Sequence, residues 1–333
     1  MSLSGLRGKI LASVLLGLAV VVALSLLADV RQVGAGFERF AWGAVPAILG
    51  CTVLNYALRW AKWDYYLRRL GLGGGVSRGD SALIFSAGLI MSITPGKVGE
   101  VFKSFLLRRV NGTPATVSAP IVLAERVTDG LAMLLLMALG LSLYPPVRPL
   151  FWALLGATLL GVIVAQNRPL CERILGWVAR LPLGAKLAPR LLALYASTAQ
   201  LLHWRILLVS TLLSFVSWGF ECVAMYFVLT GMGIAGTPLL LLQATFIFAA
   251  STLLGLVSFL PGGLGASEAS SAGLLVLLVG MDAGAASAAT LIIRFCTLWF
   301  GVLLGMAALA WFGRRYKDRS LSGEHEVRPY NLR

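Results

Sequence analysis

Eight ionisable side chains lie in segments of this sequence that are otherwise apolar: the carboxylates Glu100, Glu125, Asp129, Glu221 and Glu268, and the cations Lys97, Arg126 and Arg294. Placing a charge in an apolar segment costs free energy unless the charge is paired or used in function. Cations in such a place can bind an anionic group, and carboxylates can pair with arginine or exchange a proton. All eight are therefore candidates for substrate binding, ion pairing or ion coupling.

Two short breaks in the helical sequence lie next to these charges. The residues that break the helix are Pro95, Gly96 and Gly99 before Glu100, and Pro261, Gly262, Gly263 and Gly265 before Glu268. Proline and closely spaced glycines end a helix, and lipid tolerates such backbone only where protein or a water-filled cavity surrounds it. The helix that restarts after each break carries partial positive charge at its N-terminus, which attracts anions. The breaks and the cations therefore predict a site for an anionic group inside the protein.

The two breaks are spaced like copies of one unit. Glu268 follows Glu100 by 168 positions, and Arg294 follows Arg126 by the same 168 positions. This register indicates a duplication, with a first repeat at residues 1–145 and a second at residues 146–313. Each repeat has three membrane crossings, an odd number, so the second repeat is expected to be inverted relative to the first. In that arrangement the tips of the two hairpins meet inside the membrane.

The composition is that of a polytopic membrane protein. Of the 333 residues, 58% are hydrophobic and 13% are charged, and the mean hydropathy is +0.86. The net charge of +14 does not indicate a nucleic-acid partner, because the basic residues flank apolar spans instead of forming one patch. The four cysteines and two histidines have no metal-ligand or disulfide spacing, so we expect no metal and no cofactor.

The hydropathy pattern predicts an all-α fold with about six spans and two re-entrant or broken hairpins. The spans are residues 10–28, 40–58, 116–144, 149–166, 206–230 and 285–312. The hairpins are residues 80–110 and 239–280, and an amphipathic helix at residues 168–203 lies on the membrane surface. The distribution of lysine and arginine places both termini, including the polar tail at 314–333, on the cytoplasmic side of a bacterial-type cell membrane.

A basic and aromatic segment follows the second predicted span. Arg59 and Lys62 lie among tryptophan and tyrosine residues, a pattern typical of the membrane interface, where it anchors helices. Lys103 is expected nearer the surface than Lys97. These assignments leave five carboxylates and three cations at membrane depth. The excess of acid indicates that some carboxyl groups are protonated or exchange protons, which makes proton-coupled movement one candidate mechanism.

Structural roles compete with binding at the carboxylates. Arg126 and Asp129 are three positions apart on a helix and can form an ion pair. Glu100 and Glu268 can each cap the free N–H groups at the start of the following helix. Either role would satisfy the charge without any substrate.

Two charged residues have no opposite charge near them in the sequence. Glu221 stands alone in a long apolar helix, so we expect it to contact Arg294 or Arg126 from another span. Arg294 has the neutral Thr297 where Arg126 has an acid three positions on. Its partner is therefore a glutamate from another helix, Glu221 or Glu268, or a substrate phosphate, and we favour the phosphate.

The order of these motifs resembles the lysylphosphatidylglycerol synthase transmembrane region, a family also called flippase-like. The resemblance rests on residues 95–100, 125–129, 261–268 and Arg294, and it extends from about Lys9 to Phe312. It implies translocation of a lipid between leaflets. The soluble synthase domain of the bifunctional members has no counterpart after Phe312, so we do not expect lipid aminoacylation.

Three function classes remain open at this point. The first is a lipid transporter whose cargo is a phospholipid, an aminoacyl lipid, a polyprenyl-phosphate sugar or a glycolipid. The second is an ion-coupled carrier of a small anion, which requires a closed polar cavity. The third is an integral membrane transferase that modifies lipids, which would require a donor-binding motif. A lipid path requires an opening toward the bilayer, so the shape of the cavity distinguishes the first two.

Overall fold

A computed structural model describes residues 30–94, 98–179 and 198–316, and this part of the chain is all-helical. The predicted span at residues 10–28 and the tail beyond residue 316 lie outside the described residues, as do Pro95, Gly96 and Lys97. In the first half, up to residue 145, the helices are α1 Val30–Arg39, α2 Val45–Arg69, α3 Arg78–Gly88, α4 Phe102–Asn111 and α5 Ala115–Leu139. In the second half they are α6 Arg148–Gln166, α7 Arg168–Ala179, α8 Trp204–Gly231, α9 Pro238–Val257, α10 Ala266–Leu274, α11 Ala283–Arg294 and α12 Phe300–Arg315.

Short irregular turns connect or extend several of these helices. Single 3₁₀ segments lie at Leu89–Ile93 after α3 and at Val98–Val101 before α4. A π-helical turn at Leu275–Val279 extends α10, and another at Phe295–Trp299 joins α11 to α12. A π turn adds a residue to the helical repeat and shifts the face that the following side chains present, and such turns are common at functional sites.

Local sequence fixes where several helices begin. The Ser77 hydroxyl accepts a hydrogen bond from the Asp80 N–H at 3.0 Å and caps α3. Thr237 caps α9 through the Leu240 N–H at 3.1 Å, with Pro238 at the first helical position. These side chains satisfy N–H groups that have no partner within the helix.

Several described helices are long and apolar enough to cross a membrane. These are Pro145–Gln166, Trp204–Gly231, Pro238–Val257 and Ala283–Arg315, with the pair Arg31–Arg39 and Trp42–Arg69, bent by 63°, as a fifth candidate. The predicted spans at 149–166, 206–230 and 285–312 fall within three of them. Helix α5, which overlaps the predicted span at 116–144, has 25 residues and includes three charged ones, Glu125, Arg126 and Asp129. Helix α2 continues to Arg69, so the basic and aromatic segment that follows the predicted span at 40–58 is part of the same helix.

The two predicted hairpins differ in length. Helices α3 and α4 have 11 and 10 residues, too short to cross a bilayer core of about 30 Å at roughly 1.5 Å per residue. In the second hairpin α9 has 20 residues, enough to cross, whereas α10 has nine. The backbone between them turns at Gly262, Gly263 and Gly265, whose φ angles of 62°, 69° and 88° favour glycine because a Cβ would clash.

Helices from the two halves pack across each other. Helix α3 and the 3₁₀ segment after it pack against α12, and α9 packs against α5. Gly305 of α12 lies so close to this 3₁₀ segment that a Cβ at that position would be 3.1 Å from the Cα of Ile90. Helices α2 and α8 form another extensive contact between the halves. The centre of the protein is therefore built from both halves.

The end of α12 is tied to the start of α3. The Tyr316 hydroxyl donates a hydrogen bond to Asp80 at 2.6 Å, and Arg315 lies 3.1 Å from the same carboxylate. Burial raises the pKa of Asp80, but hydrogen bonds from Tyr316 and Ser77 and the charge of Arg315 outweigh it and lower the pKa below its usual value. The carboxylate therefore keeps its charge, and the contact, until the pH falls through that lowered pKa.

The predicted surface helix is described only in its first part. Helix α7 covers residues 168–179, and residues 180–197 of the predicted segment lie outside the described part of the chain. Trp177 of this helix is 77% exposed. An exposed tryptophan is what an interfacial helix presents to the lipid headgroup region.

Candidate functional site

The second helix break lies against the residues that precede the first. A Cβ at Gly262 in the second break would lie 3.3 Å from the Cα of Ile93, two residues before Pro95. The meeting of the two hairpin tips stays a prediction. Thr94 lines a cavity of about 70 Å³ together with Gly262 and Gly263. Because Pro95, Gly96 and Lys97 lie outside the described residues, the contribution of Lys97 to this site stays a prediction.

In the second copy the arginine and the glutamate form an ion pair. The Arg294 Nε donates to a Glu268 carboxylate oxygen at 2.5 Å, and its Nη2 donates to the Gly262 carbonyl at 2.9 Å. The other Glu268 oxygen accepts a hydrogen bond from the Gly265 N–H at 2.7 Å. The predicted capping role of Glu268 is therefore confirmed. The expectation that Arg294 has no protein acid as its partner is wrong, because Glu268 pairs with it, and the binding of substrate by Arg294 stays a prediction.

The first copy has the corresponding pair. The Arg126 Nη2 lies 3.0 Å from a Glu100 carboxylate oxygen and 3.1 Å from an Asp129 oxygen. The expected pair of Arg126 with Asp129 is thus confirmed. Glu100 and Arg126 are 26 positions apart, as are Glu268 and Arg294. The same glutamate-arginine contact occurs in both copies, although the arginine of the first copy has an additional carboxylate.

Further ionic contacts surround the first copy. The Lys62 ammonium lies 2.5 Å from Asp129, and the Lys103 ammonium lies 2.5 Å from Glu125. The Glu100 carboxylate also lies 3.6 Å from Lys103 and 3.7 Å from Arg59. These contacts join α2, α4 and α5 through buried charges, whose attraction is stronger away from water.

The interface prediction for Arg59 and Lys62 was wrong, because instead of meeting lipid headgroups these residues are 7% and 1% exposed. Lys103 is also buried, at 2% exposed, and its depth relative to Lys97 stays a prediction. The helical spacing of α2 carries the signal that identifies two of them. Asn55, Arg59, Lys62 and Tyr66 recur at intervals of four, three and four residues, so they share one face of the helix, and that face is buried against α5 and α8.

This burial changes the charge balance of the site. Within the described part of the chain, five carboxylates are accompanied by five cations: Arg59, Lys62, Lys103, Arg126 and Arg294. The expected excess of acid is therefore absent among these residues. Proton coupling is therefore no longer supported by an excess of acid at this site.

Glu221 lies in α8, 2% exposed. It lines a cavity of about 60 Å³ together with Arg59 and Arg294. Glu221 and Arg294 line one cavity, and the expected contact of Glu221 with Arg294 or Arg126 stays a prediction. Trp218, one turn earlier on the same helix, lines this cavity as well, and its ring lies 5.3 Å from the Arg59 guanidinium.

Arg294 borders three cavities that differ in character. The first, of about 70 Å³, also includes Arg126 and Asp129, and the second, of about 60 Å³, includes Arg59 and Glu221. The third is an apolar cavity of about 510 Å³ between α1, the start of α2, and the α11–α12 segment. The side chain of Arg294 is 17% exposed. One guanidinium therefore borders two small cavities that include other charged groups and one large apolar cavity.

The described residues show no metal site. No group of three His, Cys, Asp or Glu side chains in residues 30–94, 98–179 and 198–316 is placed to hold a metal ion. The site offers ionic chemistry, because guanidinium and carboxylate groups lie beside the non-helical turn at Gly262 and Gly263. Such a site can bind an anion and exchange it for a protein carboxylate.

Comparison with known proteins places this arrangement in a family. Residues 14–305 match the family described as Lysylphosphatidylglycerol synthase TM region. A UPF0104 membrane protein of Methanothermobacter thermautotrophicus is 25% identical over 305 residues, which cover 82% of this chain and 87% of that protein. A UPF0104 membrane protein of Pyrococcus horikoshii is 32% identical over 99 residues, 29% of this chain and 28% of its own length. The resemblance inferred from the motifs is confirmed by the family match.

Proposed function

We propose that this chain, which belongs to the lysylphosphatidylglycerol synthase transmembrane region family, moves a lipid or glycolipid with an anionic headgroup between membrane leaflets. The observation that carries the proposal is the position of Arg294, which borders two small cavities with charged residues in their walls and one large apolar cavity. A lipid joins a charged group to a hydrocarbon chain. It is the class of ligand that would occupy both kinds of space at once.

The polar side of the site suits a phosphate. Arg126 and Arg294 line the same small cavity, next to the backbone turn at Gly262 and Gly263. A guanidinium can donate two parallel hydrogen bonds to a phosphate, which favours this group over a simple point charge. An arriving phosphate would compete with Glu268 for Arg294, so binding and release become an exchange of partners.

An inverted repeat accounts for the symmetry of the contacts. Helices that occupy corresponding places in the two halves, α2 and α8, pack together, and each hairpin packs against the last helix of the other half. The Glu100–Arg126 and Glu268–Arg294 pairs lie in equivalent positions. Transporters built from inverted repeats hold substrate between the halves and expose it alternately to the two sides.

The site residues divide into two groups under this proposal. Those that bind substrate are Lys97, Arg126 and Arg294, with the breaks at Pro95, Gly96, Gly99, Pro261, Gly262, Gly263 and Gly265. The carboxylates pair with these cations and return to them when substrate leaves. A small-anion carrier would use the polar cavities alone, and a transferase would use the carboxylates as bases, so neither function explains the apolar cavity.

Leaflet exchange in proteoliposomes tests the proposal. The purified protein is reconstituted with a panel of fluorescent phospholipids, aminoacyl lipids, glycolipids and polyprenyl phosphates, and a membrane-impermeant quencher reports the lipid in the outer leaflet. We expect protein-dependent exchange of at least one anionic lipid, with no exchange in protein-free liposomes. Folded protein that exchanges none of the panel but transports inorganic phosphate or another small anion would replace this proposal with the carrier.

The orientation of the chain is a separate prediction. If both termini are cytoplasmic, the turn at Pro145–Val147 faces outward and the loop between α2 and α3 faces inward. In a background in which the four native cysteines are replaced, an impermeant maleimide applied to intact cells should label Pro146→Cys and leave Gly74→Cys unlabelled. Both positions are exposed, which makes them a matched pair. Labelling of Gly74→Cys alone would reverse the orientation.

A further inference from the structure

The apolar cavity is formed by helices that are distant in the sequence. Its volume is about 510 Å³, which lies in the range of roughly 300–1,000 Å³ typical of ligand sites. Phe37 of α1 and Leu49 of α2 lie on one side, and Phe295 and Trp299 of the π turn lie on the other. Apart from Arg294 and Glu268, its lining side chains are aliphatic or aromatic, with Cys296 as the one thiol.

The rim of this cavity is open to the surroundings of the protein. Trp42 and Phe295 line the cavity and are 58% and 61% exposed, and Leu303 of α12 is 54% exposed. In a membrane-spanning helix bundle, exposed apolar side chains face lipid chains. A hydrocarbon chain can therefore enter from the bilayer without passing through water.

The π turn links this cavity to the charged site. It begins at Phe295, directly after Arg294, and changes the face on which the next side chains lie. Arg294 lines all three cavities, whereas Phe295, Cys296 and Trp299 of the turn line the apolar one and Leu298 lines the two small ones.

We infer that this cavity binds a hydrocarbon chain of the lipid whose anionic headgroup is held at Arg294. The inference rests on the proposed function and adds to it the place of the chain. It also explains why the charged group borders the apolar space: a single residue fixes the point where headgroup and chain join. The recognised ligand is then an anionic lipid: Arg294 binds its charged headgroup, and the apolar cavity beside Arg294 binds its hydrocarbon chain.

Photolabelling tests this placement without any transport step. The protein is incorporated into phosphatidylcholine nanodiscs with phosphatidic acid that carries a diazirine in one acyl chain, and the labelled peptides are identified by mass spectrometry. Diacylglycerol with the same photoreactive chain is the matched probe, because it lacks only the phosphate. We expect peptides containing Leu49 and Trp299 to be labelled about tenfold more by phosphatidic acid than by diacylglycerol. Peptides around the exposed Leu160 of α6 should be labelled equally by both probes.

Two variants separate the contributions of charge and space. Arg294→Gln should remove the preference for phosphatidic acid at Leu49 and Trp299, because the headgroup is no longer held. Leu49→Trp narrows the cavity and should reduce labelling of the Trp299 peptide by either probe by about tenfold, roughly the effect of two methylenes losing burial. Leu160→Trp, a change of the same size on an exposed surface, should alter neither result.

The outcomes distinguish this inference from the proposed function. Equal labelling of the Leu49 and Trp299 peptides by both probes in the unmodified protein would refute the link between this cavity and a headgroup held at Arg294. Absence of label there would overturn the placement of the chain. Labelling in the expected pattern by a protein that exchanges no lipid in proteoliposomes would retain the binding cavity and refute transport. Leaflet exchange with no label at these peptides would retain transport and refute the cavity.

Discussion

Replacing Arg294 with glutamine is expected to abolish lipid exchange and to lower the stability of the protein. The neutral side chain can no longer hold an anionic headgroup, and it also leaves the buried Glu268 without its cation. Breaking a buried ion pair typically costs about 3–5 kcal/mol. We expect a smaller loss, about 2–3 kcal/mol, because Glu268 keeps its hydrogen bond from the Gly265 N–H. Leaflet exchange in proteoliposomes and thermal unfolding in detergent measure the two effects.

A second substitution separates binding from stability. In the Arg294→Gln and Glu268→Gln double variant no charge is left without a partner, so most of the lost stability should return, while exchange stays absent. Arg315→Gln is the control, since it removes an exposed arginine from its pair with Asp80 and should change exchange little. If the double variant recovers the exchange rate of the unmodified protein, Arg294 has a structural role only and does not contact substrate.

The helix breaks and the paired copies could be predicted from the sequence because their chemistry is local. Proline and glycine end a helix wherever they occur in this pattern, and the turn at Gly262 and Gly263 has the positive φ angles that glycine permits. The register of Glu100 with Glu268, and of Arg126 with Arg294, is visible without any structure. These features identified the turn at Gly262, which lies against Ile93, two residues before the first break.

The partners of the charges could not be predicted in the same way. Arg59 and Lys62 stand among aromatic residues, and that local pattern is shared by interface anchors and by buried helix faces. Which one applies depends on whether another helix covers the face, and here α5 and α8 cover it. Lys103 illustrates the same limit, because its burial beside Glu125 and over the Trp63 ring, at 4.6 Å, results from contacts between separate helices.

The apolar cavity lies beyond sequence reasoning for a related reason. Its volume depends on the 63° bend between α1 and α2 and on the π turn after Arg294. Neither has a reliable signature in the sequence, and the cavity itself is a gap between segments that are more than two hundred positions apart. Glu268 and Arg294 were recognisable by their charge, whereas the apolar residues that line the cavity carry no signal that distinguishes them. The cavity places an apolar binding space next to a site that the sequence identified by its charges alone.

Replacing Asp129 with asparagine is expected to cause the largest loss of stability among single changes in the charged network. One carboxylate oxygen accepts hydrogen bonds from Lys62 at 2.5 Å and Ser214 at 2.8 Å, and the other lies 3.1 Å from Arg126. Its removal leaves Lys62, which is 1% exposed, without its nearest counter-charge. We expect destabilisation by about 3–5 kcal/mol, measured by thermal unfolding of the purified protein.

A partner substitution and a matched control make this expectation specific. Adding Lys62→Met to Asp129→Asn removes the stranded cation, so the double variant should be more stable than Asp129→Asn alone. Asp64→Asn provides the control, because it breaks a pair with Arg68 of similar length, 2.7 Å, on an exposed part of α2 where such pairs contribute less than about 1 kcal/mol. Equal effects of Asp129→Asn and Asp64→Asn would mean that burial does not strengthen the network. The three helices α2, α5 and α8 would then be held together by apolar packing, and the ionic contacts around Asp129 would be free to serve substrate binding instead.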